Sequence, residues 1–148
     1  NICVDFERDK IMNTVWVEGS TKKKRELAEA LVNFCIERLM PRYRTLEIEV
    51  NLNKIKDAQG YCCNISNREF ELEIEKTLEG DDFITCITHE MVHVWQYATG
   101  TLKQTNSGKN FWKGKDYSDT PYSKQPWERQ AYRMQETLME EWKEFVGA

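Results

Sequence analysis

Two histidines, His89 and His93, flank the run Glu90-Met91-Val92, and they are the only histidines in the 148-residue chain. Four positions is slightly more than one helical turn, so on a helix both imidazoles project from one face. Two nitrogen donors placed that way can be bridged by a single zinc ion. Glu90 sits beside the first donor, where a carboxylate can take a proton from a water activated by the metal. The same five letters also arise by chance, and a helix can carry histidines for packing. The surroundings favour the metal. Ile84, Ile87, Met91, Val94 or Trp95, and Ala98 recur at helical spacing, and Gly100 follows as a stop.

A catalytic zinc site takes three protein ligands and leaves one position open. With no further histidine, and no cysteine after the motif, the downstream candidates are Asp116, Asp119, Glu128, Glu136, Glu140, Glu141 and Glu144. Glu128 is favoured. It falls on the apolar stripe Glu128, Ala131, Gln135, Leu138, Trp142 and Phe145, where an uncompensated carboxylate is costly. Its simpler reading is a first-turn charge favoured by the helix dipole. Asp116 and Asp119 are candidates to hold the ligand histidines from behind.

The elements that must position these groups read as follows. Short β-like runs cover Ile2 to Phe6 and Val15 to Val17. Residues 21–40 read as a helix, capped by Ser20 or Thr21, with Leu27, Ala30 or Leu31, Phe34 and Leu39 on its apolar face and Pro41 ending it. Lys22 to Arg25 sit against the dipole at its start and read as a solvated end, or as a phosphate patch. Leu46, Ile48, Val50 and Leu52 alternate with Glu47, Glu49 and Asn51, a half-buried strand. Tyr61 to Ile65 and Phe70 to Ile74 form an antiparallel hairpin. The motif helix starts near Asp82 and runs to Thr99. Residues 101–126 read as a long loop with five lysines against two aspartates, anchored by Phe111 and Trp112. A last helix covers residues 127–146.

The expected class is therefore α+β: an N-terminal helix, a small, mostly antiparallel sheet, the motif helix, a long loop and a C-terminal helix carrying the third ligand. One domain over 1–148 fits the length. A net charge of −4 argues against a generally basic nucleic-acid surface. No apolar run has membrane-spanning length. Five cysteines without regular spacing read as free thiols in a cytoplasmic protein rather than a disulfide framework. Cys62 and Cys63, adjacent in a strand, point to opposite faces and cannot easily share one ion.

Three stretches carry a family resemblance: Thr88 to Gln96 around the motif, Trp112-Lys113-Gly114-Lys115, and Pro121-Tyr122 through Pro126-Trp127-Glu128-Arg129-Gln130-Ala131-Tyr132. Together they resemble the gluzincin branch of zinc metallopeptidases, and most the minigluzincins and small SprT-like or phage-encoded metallopeptidases. The resemblance covers the C-terminal half. It implies a zincin-like fold, Glu128 as third zinc ligand and Glu90 as general base. Its substrates would be proteins or peptides, bound along an edge strand drawn from Phe70 to Glu75 or Tyr61 to Ile65. A second donor must then hold the developing oxyanion. Tyr122 is favoured over Tyr132, because a loop residue can swing over the site. SprT-type proteins use a third histidine, which this chain lacks. Two rivals remain: a protease acting on nucleic-acid-bound proteins, motivated by the lysines, and a non-catalytic, zinc-stabilised interaction module. A monomer is expected.

Overall fold

The alternating stretch around Ile48 does form a strand, and its pairing sets the frame of the molecule. In a computed structural model describing residues 12–147, β1 (Thr14–Gly19), β2 (Glu47–Asn53), β3 (Gly60–Asn64) and β4 (Glu69–Glu75) make one sheet in the order β1-β2-β4-β3. β1 runs parallel to β2, and β2 parallel to β4; only β3 is antiparallel to its neighbour. The expected mostly antiparallel sheet is thus corrected to a mixed one. The reason is topological: parallel neighbours need a long crossover, and helix α1 (Lys22–Leu39) supplies it between β1 and β2. The expected hairpin is present as β3 and β4. The Ile2 to Phe6 run lies outside the described residues.

Ile48, Val50, Leu52, Phe70, Leu72 and Ile74 turn inward, and α1 and α2 (Gly80–Ala98) cover them. Thr21 caps α1, accepting a hydrogen bond from the Lys24 amide. From α1 the core takes Ala28, Leu31, Val32, Phe34, Cys35 and Ile36, while Ala30 is exposed. The basic run at its start is half employed. Lys24 Nζ donates to the carbonyls of Lys76 and Leu78, and Arg25 to those of Gly19 and Ser20. These bonds tie the start of α1 to the entries of both helices.

Residues 101–126 are not the structureless loop the sequence suggests. They hold a three-stranded antiparallel sheet, β5 (Leu102–Gln104), β6 (Asn110–Trp112) and β7 (Lys115–Asp116), then a 3₁₀ turn at Tyr122–Lys124. Strands of two or three residues are too short to show a period. Trp112 does anchor this segment, in a second small core with Leu102 and Trp127. Helix α3 (Pro126–Gly147) packs on α2 and adds Ala131, Leu138 and Trp142 to the core, Trp142 meeting Phe34 of α1, while Phe145, at the end of the expected stripe, is exposed but rests against Phe34. Among the described residues the architecture is α+β, with three α-helices, a small mixed sheet and a smaller antiparallel one. Cys35, Cys62, Cys63 and Cys86 are free thiols. Among the described residues, no helix is long and apolar enough to cross a membrane.

Candidate metal centre

The middle of α2 is buried on every side, which is why it can carry both an apolar stripe and a polar one. Residues 86–94 are all buried, including His89, Glu90 and His93. The first turn of α3 brings Glu128 against them. Its carboxylate oxygens lie 2.9 Å from His89 Nε2 and 3.3 Å from His93 Nε2. One ligand atom from each of the three lies within 4.8 Å of the others, a cluster that could hold a metal ion. Of the downstream carboxylates, Glu128 is the one that joins the histidines.

The tautomer of His93 follows from its neighbours. Gln96 Nε2 donates to the Trp127 carbonyl at 3.0 Å and to Gln130 Oε1 at 2.8 Å, so its oxygen must be the atom facing His93 Nδ1 at 2.8 Å. His93 Nδ1 therefore carries the proton and donates it, and the neutral ring presents its Nε2 lone pair to Glu128. His89 is held similarly, with Nδ1 2.7 Å from Gln135 Oε1. Two nitrogen lone pairs and a carboxylate aimed at one point repel unless a cation or protons lie between them. The donor set thus fits a divalent metal, with the outer ring nitrogens already oriented.

Without metal, protons take that place. Burial works against a charged His93, but the bond and charge of Glu128 outweigh it and raise the His93 pKa. Burial likewise pushes Glu128 upward, and the two histidine bonds overcome it, holding the carboxyl at about 2. Glu90 behaves differently. It is 7% exposed, and burial raises its pKa against the pull of both imidazoles; no hydrogen bond contributes. It stands beside the cluster facing a cleft.

That cleft has two lobes, of about 410 and 330 Å³, meeting over His89 and Glu90. Helical side chains form one wall; β3 and the residues before it, Asp57 to Gln59, form the other. β3 comes unusually close. A Cβ on Gly60 would lie 2.8 Å from Cys86 Sγ and 3.2 Å from both Glu90 Oε2 and the Glu73 carbonyl oxygen. Only glycine lets the strand lie so near Glu90.

Tyr122 and Tyr132 both stand at the rim. The Tyr122 hydroxyl donates to Glu128 Oε1 at 3.2 Å and lies 3.0 Å from the Tyr132 hydroxyl, which must donate to it in turn. Partial burial and the Tyr132 bond raise the Tyr122 pKa, so it stays a neutral donor. The Tyr132 ring meets His89 edge-on, 4.7 Å between centroids.

Asp116 and Asp119 do not support the histidines. Asp116 bonds its own loop at Ser118, and the supporting role falls to Gln96 and Gln135. Both had a readable signal. Gln96 lies three positions after His93, and Gln135 lies two turns after Glu128 on the same stripe. Nothing in the sequence ties Gly60 to the motif. No protein-family model, no curated protein and no solved structure matches this chain.

Proposed function

We propose that this chain is a zinc-dependent peptidase of the gluzincin kind, with a zincin-like fold. His89, His93 and Glu128 would hold the ion, and Glu90 would act as general base. The observation that carries the reading is Glu90, a nearly buried carboxylate without a hydrogen bond, standing in an open cleft beside three convergent donors. The same openness weighs against a closed zinc module. When bound, zinc supplies a Lewis acid for a carbonyl oxygen and makes a water acidic near neutral pH.

The chain's own groups do the rest. Glu90, with its raised pKa, is suited to receive a proton from water and return it to the leaving amine. Tyr122 is the first choice to donate to the developing oxyanion and Tyr132 the second, acting on it directly or through Tyr122. β3 is an outer strand of the sheet and borders the cleft, whereas β4 is internal, so the edge strand for substrate is β3. In its antiparallel pair, Tyr61 and Cys63 face β4 with their backbone groups, which leaves those of Gly60, Cys62 and Asn64 pointing outward. An extended peptide can add there as a further strand.

Purified protein is expected to hold one zinc per chain and to cleave an unbiased peptide library. Glu90→Gln should keep the metal and lose roughly 10²- to 10⁴-fold in turnover. Full cleavage by that variant, or no stoichiometric zinc in the parent, would sink the proposal.

A further inference from the structure

The outer face of the sheet carries a charge pattern that the catalytic reading does not use. Glu47 and Glu49 of β2 lie directly beside Glu69 and Glu71 of β4, and Asn51 beside Glu73. Like charges at paired positions destabilise a sheet, so this face carries a standing cost. Relief is partial and internal. Asn51 bonds Glu71 and Glu73, Trp16 bonds Glu49, and the bond from Glu73 raises the Glu71 pKa. Among the described residues, the ion pairs that form involve none of these five glutamates.

This face adjoins the free edge. Tyr61 and Cys63 of β3 are paired with Glu73 and Glu71 and are exposed on the same side. A strand added to β3 would set alternate side chains on that side, next to Tyr61 and Cys63. Two strand spacings, about 10 Å, separate it from Glu71 and Glu73, a gap that a lysine or arginine and a glutamate can close together. Cys63 is small enough to reach across, and the Tyr61 ring, 44% exposed, offers a face for a cation. The other alternate side chains would point into the cleft. Its lining includes Asp57, Glu90 and Glu128 and no lysine or arginine. Glu90, nearly buried and without a hydrogen bond, is aimed into that same cleft. Beyond Asn64, Arg68 is turned over the Tyr43 ring and Lys103 lines a separate hollow.

We infer that the free edge of β3 takes an extended polypeptide bearing lysine or arginine at alternate positions, with the cations over Tyr61 and Cys63 toward Glu71 and Glu73. This rests on the reading of the cleft as a peptidase site, and it names the substrate class. Binding tests it without cleavage. Zinc-loaded Glu90→Gln protein is titrated with fluorescent alternating Lys–Ala, Ser–Ala and Glu–Ala peptides at low salt. The Lys–Ala peptide should bind roughly two- to tenfold more tightly than Ser–Ala, as two exposed ion pairs allow, and Glu–Ala most weakly. Added salt should shrink the difference. On that background, Glu71→Lys with Glu73→Lys should abolish the preference, and the milder Glu71→Gln with Glu73→Gln should halve it or more with the fold intact. Glu18→Lys with Glu47→Lys changes the net charge equally, away from β3, and should leave most of it. Equal binding of all three peptides, or equal loss from the near and far pairs, overturns the inference. If neutral peptides are cleaved but no charge preference appears, the inference alone falls. If the preference appears and nothing is cleaved, the peptidase reading falls and the docking edge stands.

Discussion

The two walls of the cleft are built on opposite terms. On the helical wall the ligand groups have partners: His93 through Gln96 to the Trp127 carbonyl, His89 through Gln135, and Glu128 between both rings. On the strand wall, Gly60, Cys62 and Asn64 turn backbone groups outward, and the sheet face behind them carries glutamates that form no ion pair among the described residues. If it holds a metal, the first wall must keep three atoms in one geometry, which requires supporting bonds behind them. On the proposed reading the second would take chains of many sequences, its hydrogen bonds left to the incoming strand. The difference separates what is preorganised from what is completed by a partner.

Within the helical wall the two supports are unequal, and the largest expected effect breaks that inequality. Gln96 is fully buried and bonded at three points, while Gln135 is only half-buried and has its one bond to His89. Gln96→Leu should lower metal affinity by roughly 10- to 100-fold, the range seen when such partners are removed. Gln135→Leu should cost clearly less. Competition with a chromophoric chelator measures both. Equal losses would mean that the network behind Gln96 adds nothing.

A smaller effect separates His93 from Glu128. A metal held as proposed would need the His93 Nε2 lone pair, and the His93 pKa is raised above 6.5 in the metal-free protein. Metal affinity should therefore fall as pH drops through a midpoint above 6.5, while Glu128, held at about 2, stays ionised throughout. Chelator competition across neutral and mildly acidic pH reads this directly. A midpoint near 4 would assign the loss to a carboxylate instead. The metal-free fold runs the other way. A raised histidine pKa stabilises it fully below 6.5 and ceases to do so as pH rises through the raised value.

The two walls were also unequally legible in the sequence. Helices α1, α2 and α3 carry three or more turns of apolar periodicity and their own stop or cap signals, and Glu128 could be picked from its stripe. The spacing of Gln96 from His93 was readable, but its bonds to Trp127 and Gln130 exist only because a second helix packs there. The alternation in β2 told which face is buried but not which way the neighbours run. Strand direction is set by pairing across the chain and, for β1 and β2, by the α1 crossover. The approach of Gly60 to Glu90 depends on that pairing too, so it left no local mark.

The smallest expected effect lies where the strand wall is fastened. Although β3 leaves its outer edge free, the segment leading into it is stapled by Glu75. The Glu75 carboxylate accepts from the Ile55 amide at 2.8 Å and from the Thr77 amide and hydroxyl at 3.0 and 2.9 Å. The Ile55 amide bond and then the Thr77 bonds hold its pKa at about 2, against an ordinary 4.5. A depressed carboxylate contributes stability above its unfolded pKa and loses it as pH falls to the folded value, so the window runs from 4.5 down to about 2. Glu75→Gln should flatten the fall of Tm across that window and lower Tm at neutral pH. Hydrogen exchange at residues 54–59 should rise while exchange in α2 stays unchanged. If exchange rises equally in both, the staple serves the whole core, and the strand wall is no more independent of the helical wall than any other part of the sheet.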